Sequence, residues 1–300
     1  MIFWKKQYFY ATIFSLLLTA GFTWSLLETF VISHSISAAA NLSKNSQIEA
    51  GEISKSENSY KDDNISIEIT TGRTSNTTYY VADIRLANAD LLKTALAKNT
   101  FGTNITETVS SMAESNSAIF AINGDYYGAN SSGYVIKNGV LYRESARSSD
   151  YQDLVIYQDG SFDVVKESEQ TAQDLVKSGV VQSFAFGPTL ISNGKIVVSQ
   201  NEEVGRAMAD NPRTAIGIVE EDDSSLHYVV IVSDGRTSES EGLTIYEMAE
   251  LMQEYGVKTA YNLDGGGSST MYFNGQVINK PTTNGNIKER GVSDILYIGY

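Results

Sequence analysis

Two early stretches of the chain, 65–71 and 79–86, alternate apolar and polar residues. A period of two puts successive side chains on opposite faces of a sheet, so both stretches predict strands with one buried face. The apolar runs 118–122, 215–219, 228–232 and 295–298 predict further strands. Asn138-Gly139, Asp159-Gly160, Asn193-Gly194 and Asn274-Gly275 each separate two strand-like runs. Such dipeptides favour the tight turns of antiparallel hairpins. Helical spacing occupies 107–115, 170–177 and, most clearly, 245–255, where Ile245, Met248, Ala249, Met252 and Tyr255 share one face. Thr244 followed by Glu247 has the spacing of a capping box at the start of that helix. The expected architecture is α+β: one domain over residues 65–300, with a mixed, largely antiparallel sheet covered by helices.

The N-terminal stretch reads differently. Lys5 and Lys6 precede an uncharged segment, 7–27, rich in Leu and Phe. As a helix it would extend about 30 Å, the thickness of a bilayer core. Residues 1–32 are therefore expected to be a cytoplasmic start and a transmembrane signal-anchor helix, with the two lysines inside and the domain outside the cell membrane. Residues 33–64, rich in Ser, Asn, Lys and Glu, suit a flexible linker. The small residues at 37–40 leave open a cleaved signal peptide and secretion. Both readings export the domain.

Composition narrows the chemistry. A formal charge of −14 gives no basic surface for nucleic acid. Cysteine is absent and the two histidines, His34 and His227, lie far apart in the sequence, so a catalytic triad or a multi-His zinc site is hard to build. Proton transfer falls to carboxylates, tyrosine or water.

Three groups of residues carry candidate chemistry. In Tyr261-Asn262-Leu263-Asp264-Gly265-Gly266-Gly267-Ser268-Ser269-Thr270 a strand delivers a carboxylate to a glycine loop followed by three hydroxyls. Such a loop can turn N–H groups and hydroxyls toward a phosphate, although glycines alone would suit any sharp turn. In Asn123-Gly124-Asp125-Tyr126 an amide and a carboxylate close another strand, where a plain Asn-Gly turn is the bland alternative. Arg213, Arg236 and Arg290 flank strands, with Asp234 two residues before Arg236. A guanidinium fork grips phosphate through paired hydrogen bonds, although a single arginine is more often a surface ion-pair partner.

Together with Phe186-Gly187-Pro188-Thr189-Leu190, Asn211-Pro212-Arg213-Thr214-Ala215, Asp234-Gly235-Arg236 and the run from Arg290 to Asp294, these motifs resemble the phosphodiester glycosidase family across 65–300. Animal members remove N-acetylglucosamine from a phosphodiester, and bacterial members include exported, exopolysaccharide-related proteins. The resemblance implies hydrolysis between sugar C1 and phosphate in a wall polymer, exopolysaccharide or related glycoconjugate.

Such a reaction passes through an oxocarbenium-like state usually served by two carboxylates. Asp264 is expected as nucleophile or base and Asp125 as its partner, with Asn123 and Gly124 at the sugar. Arg213 and the loop Gly265, Gly266, Gly267, Ser268 and Ser269 would neutralise the leaving phosphate, supported by Asp234, Arg236 and Arg290. No cofactor is expected; if a divalent cation took part, Asp125, Asp234, Asp264 and Asp294 would be its ligands. The rival reading is a non-catalytic wall-polymer or polysaccharide binding module, stacking sugars on Tyr126, Tyr127, Tyr134 and Tyr272. A phosphodiesterase, cutting on the phosphorus side, is a third, disfavoured by the scarcity of histidine.

Overall fold

The computed structural model describes residues 6–30, 35–37, 48–74, 76–147, 151–201, 210–220 and 226–300. His34 lies outside the described residues.

Two antiparallel sheets pack face to face. The larger has nine strands in the order Lys195–Ile196, Thr189–Ser192, Thr259–Asn262, Thr214–Val219, Leu226–Ser233, Thr77–Leu86, Ile65–Thr74, Ser59–Lys61 and Ser54–Lys55. The smaller runs Gln276–Val277, Met271–Phe273, Phe120–Asn123, Asp294–Ile298 and Leu92–Leu96. A three-stranded sheet, Phe162–Lys166, Gln152–Tyr157 and Val180–Phe184, extends the inner core with Leu154, Ile156 and Phe184.

Alternation along the strands builds this layering. In Leu226–Ser233, Tyr228, Val230 and Val232 face the smaller sheet, while Val229 and Ile231 face the helix Ile245–Glu254. That strand is buried on both sides, which is why its sequence reads as an unbroken apolar run. The helix contributes Ile245, Met248, Ala249, Leu251 and Met252 to the outer core. Burying each such side chain is worth about 2 kcal/mol. The helix Val109–Ser115 covers the far side of the smaller sheet through Val109, Met112 and Ala113. The order is thus helix, sheet, sheet, helix.

The α+β expectation holds, with antiparallel pairing throughout the described residues. The folded part also reaches back into the stretch expected as linker. Ser54–Lys55 and Ser59–Lys61 add to the larger sheet, Tyr60 enters the core, and its hydroxyl donates to Asp62 at 2.8 Å. The helix Lys6–Phe30 contains a 20-residue span, Tyr8–Leu27, long and apolar enough to cross a membrane. A signal anchor and a signal peptide share that property.

Candidate active site

Strand ends from both sheets meet at one end of the sandwich. Ala215 pairs with Asn262 and Thr214 with Val232, so the entry to strand Thr214–Val219, at Arg213, lies beside the exits toward Asp264 and Asp234. In the smaller sheet Ile295 pairs with Asn123, which sets Asp294 against Gly124 and Asp125. Register within each sheet brings these strand ends together, and contacts between the two sheets bring the motifs to one place.

Asn123, fully buried, ties the two sheets together. Its Nδ2 donates to the Asp264 carbonyl at 2.7 Å and to the Gly124 carbonyl at 3.2 Å. Its Oδ1 accepts from the Thr214 hydroxyl at 2.9 Å and from the Thr270 N–H at 3.3 Å. The amide is thus occupied by protein partners, which tie the Asp264 loop to the end of the smaller sheet.

Asp264 stands at the head of that loop. Its Oδ2 accepts from Arg290 Nη2 at 3.0 Å, and Arg290 also reaches Ser268 Oγ through Nε at 2.9 Å and Nη2 at 2.5 Å. Burial raises the Asp264 carboxyl above the usual carboxylate range, opposed by the Arg290 charge and by hydrogen bonds from Ser268 and the Gly265 N–H. The Arg290 side chain is 39% exposed and that of Asp264 10%, so Arg290 is the partly open member of the pair and Asp264 is nearly buried beside it.

The glycine loop is closely packed on its inner side. Gly266 has a left-handed φ of 62°, its N–H donates to the Pro212 carbonyl at 2.8 Å, and a Cβ there would come within 2.8 Å of the Arg236 guanidinium. Arg236 is itself held by Asn211 Oδ1 at 3.0 and 2.8 Å. Gly265 lies against the Pro212 carbonyl, and Gly267 against Thr283 in the hairpin Thr282–Thr283 and Asn286–Ile287. Arg213 is buried, with Nε donating to the Leu243 carbonyl at 3.0 Å. Asp234 accepts from the Lys280 N–H at 2.7 Å and from Tyr80 at 3.4 Å, and burial raises its carboxyl. Ser269 and Thr270 are fully buried, and neither hydroxyl has a hydrogen-bond partner among the described residues.

Asp125 differs from Asp264. It is 2% exposed; Oδ1 accepts from the Tyr127 N–H at 3.0 Å and Oδ2 from the Ala185 N–H at 2.8 Å. Lys137 Nζ lies 4.0 Å from Asp125 and 2.7 Å from Asp294, donates to the Ser183 carbonyl at 2.9 Å, and sits over the Phe184 ring. Sequence reasoning passed over Lys137. A lysine one residue before an Asn-Gly turn reads as solvated, and only the short, wholly buried strand Val135–Lys137 reveals otherwise.

Of the four tyrosines proposed for sugar stacking, Tyr127, Tyr134 and Tyr272 belong to the core, and Tyr127 stacks on Phe101. Tyr126 alone is open, at 47% exposure, beside Asp125. Among the described residues no group of three or more His, Cys, Asp or Glu is placed to hold a metal ion.

Comparison with known proteins points the same way as the motifs. A model of the phosphodiester glycosidase family matches residues 116–299. The chain is 36% identical over 204 residues to the prophage-derived protein YomE of Bacillus subtilis, covering 67% of this chain and 31% of that one. It is 31% identical over 162 residues to the N-acetylglucosamine-1-phosphodiester alpha-N-acetylglucosaminidase of Mus musculus, covering 50% of this chain and 30% of that one. The alignments thus span about a third of the length of these relatives. Among solved structures, the pro-peptide-inhibited catalytic domain of the zebrafish N-acetylglucosamine-1-phosphodiester alpha-N-acetylglucosaminidase superposes with a TM-score of 0.62 at 20% identity, over 90% of this chain and 89% of that one.

Proposed function

The chain belongs to the phosphodiester glycosidase family, and from that premise we propose that it hydrolyses the C1–O bond of a sugar-1-phosphodiester, with an N-acetylglucosamine phosphodiester as the first candidate substrate. The observation that carries this reading is the arrangement at the loop mouth. One guanidinium holds both the Asp264 carboxylate and the Ser268 hydroxyl, with a glycine turn beneath them.

A phosphodiester leaves as a stable anion, so its departure needs charge neutralisation more than a proton. Arg290 and the loop from Gly265 to Ser269 supply that, with Arg236 behind Gly266 and Arg213 at the adjacent strand entry. Asp264, nearly buried beside Arg290, acts in its ionised form, attacking C1 or activating the water that does. Asp125 is buried and accepts two backbone N–H bonds, which suits a fixed partner carboxyl supporting the site. Asn123 and Gly124 hold the loop in place, and Asp234 anchors the segment at Lys280. Tyr126 is the side chain exposed for packing against a sugar ring.

The apolar helix Lys6–Phe30 and the two lysines at its start support a membrane-tethered domain acting outside the cell. An exopolysaccharide or wall polymer carrying sugar phosphodiesters is then the natural class of substrate.

The test is product identity. The full chain in detergent is given the methyl phosphodiester of N-acetylglucosamine 1-phosphate, and free sugar and sugar phosphate are quantified. Free sugar that disappears with Asp264→Asn supports the assignment. Sugar phosphate would make the protein a phosphodiesterase, and binding without turnover would make it a binding module.

A further inference from the structure

Beneath the proposed site lies a second layer of charge that the reaction itself does not use. The Asp294 carboxyl is fully buried, and Gly124 packs directly on it: a Cβ on that glycine would lie 2.5 Å from the carboxyl carbon. The backbone is locked in the same place, with the Gly124 N–H donating to the Asp294 carbonyl at 3.0 Å and the Gly124 carbonyl accepting from Asp264 N–H at 3.4 Å. Asp294 therefore sits under the segment that joins Asp125 to the Asp264 loop. Among the described residues neither of its oxygens has an aligned hydrogen-bond donor; its partner is the Lys137 ammonium at 2.7 Å.

The charges around Asp294 are committed unevenly. On the mouth side, Arg290 is engaged with Asp264 and Ser268. On the hairpin side, Arg143 donates to the carbonyls of Gly133, Tyr127 and Asn130. Farther in, Arg147 is paired with Asp153 and Glu167. Tyr127, from the turn after Asp125, donates to the Ser293 carbonyl at 3.3 Å. Lys137 is left as one ammonium between two buried carboxylates. Asp125 accepts two backbone N–H bonds, whereas among the described residues Asp294 accepts no aligned one.

We propose that Asp294 is a positioning residue that takes up a proton when the phosphodiester anion binds, so that the buried layer does not oppose the incoming charge. This rests on the reading of the site given above. Burial and the neighbouring Asp125 and Asp264 charges, against the pull of Lys137, push the Asp294 carboxyl up to about 7, which places the exchange near neutral pH. Ionised, Asp294 adds a negative charge behind a site that must accept another. Protonated, it leaves Lys137 to Asp125 and the site to the substrate.

The experiment is calorimetric titration of the full chain in detergent with the methyl phosphodiester of N-acetylglucosamine 1-phosphate, whose charge does not change between pH 6 and 8. Two buffers of different ionisation enthalpy give the number of protons exchanged. Wild type should take up about half a proton at pH 7 and bind up to tenfold more weakly for each pH unit above it. Asp294→Asn, of the same shape and permanently neutral, should take up none and bind with an affinity flat in pH. A merely structural residue would alter stability without changing this proton count.

Uptake persisting in Asp294→Asn would put the proton elsewhere, with Asp264 and Asp153 the alternatives, and would overturn the proposal. A flat, proton-free profile in wild type would do the same. Should Asp294→Asn fail to fold, Lys137→Gln gives an independent reading. Without the ammonium Asp294 stays protonated to higher pH, so uptake at pH 7 should fall, and unchanged uptake counts against the idea. Absence of sugar release with normal proton uptake would sink the glycosidase reading while leaving this one standing. Absence of any binding would remove both.

Discussion

At the scale of single residues, the site depends on contacts too short for substitution. Gly124→Ala would drive a methyl group into the Asp294 carboxyl, and overpacking of this kind costs about 1–3 kcal/mol. Urea unfolding should show that loss. Asp264 sets the acid side of the activity profile: it must be ionised to act, and burial outweighs Arg290 in raising it, so kcat/KM should fall on acidification at a pH above the usual carboxylate value of about 4. Arg290→Gln removes the opposing charge and should move that fall to still higher pH, with kcat/KM reduced about 10- to 100-fold through the lost charge-assisted hydrogen bonds. An unmoved limb in a pH–rate series would argue that Asp264 is not the group being titrated. The residue types at the mouth were legible in sequence, because a strand-borne Asp, three glycines and following hydroxyls form an unusual string. Lys137 and Asp294 were not read as a pair, because their contact depends on a register between distant segments that no local pattern encodes.

At the scale of elements, local chemistry agreed closely with the structure wherever it was specific. Asn138, Asn193 and Asn274 all take left-handed φ before a glycine, as the predicted hairpins require, while Asp159-Gly160 turns with positive φ at the glycine alone. The same signal at Asn284-Gly285 went unread, although it makes the small hairpin that braces Gly267. The helix predicted over 245–255 is found at Ile245–Glu254 with its capping box complete: the Thr244 hydroxyl accepts from the Glu247 N–H at 3.0 Å, and the Glu247 carboxylate accepts from the Thr244 N–H at 2.8 Å. Thr244→Ala should therefore cost about 1 kcal/mol in unfolding free energy. Because the cap is adjacent to Leu243, whose carbonyl receives Arg213, the same variant should also weaken substrate binding if that arginine contributes to the site. A stability loss with unchanged KM would separate the helix start from the site. The early strands Ser54–Lys55 and Ser59–Lys61 escaped the sequence reading because two- and three-residue strands in a Ser- and Asn-rich stretch show no usable period.

At the scale of the whole molecule, the apolar helix and the sandwich differ in how much apolar surface they leave uncovered. Between Tyr8 and Leu27 nearly every side chain is exposed, including Phe14, Leu16, Leu17, Phe22 and Trp24, whereas comparable residues of the sheets are buried in shared cores. An apolar surface of that length is long enough to cross a bilayer, which would cover it without any protein contact. If the helix serves the membrane and the sandwich serves the reaction, the two should be separable. A chain beginning at residue 31 should melt within about 2 °C of the full chain, since a stability difference below about 1 kcal/mol shifts a domain of this size by no more than a few degrees. It should also lose flotation with lipid vesicles and keep its turnover of a small soluble phosphodiester. A drop of ten degrees would instead make the helix part of the fold. Retained flotation would move membrane affinity to the acidic domain, where electrostatics opposes it on anionic lipid. The separation matters for function: a tether that contributes nothing to the site acts only by fixing where the site can reach, so any activity lost on its removal should be confined to substrates that are themselves held at the membrane.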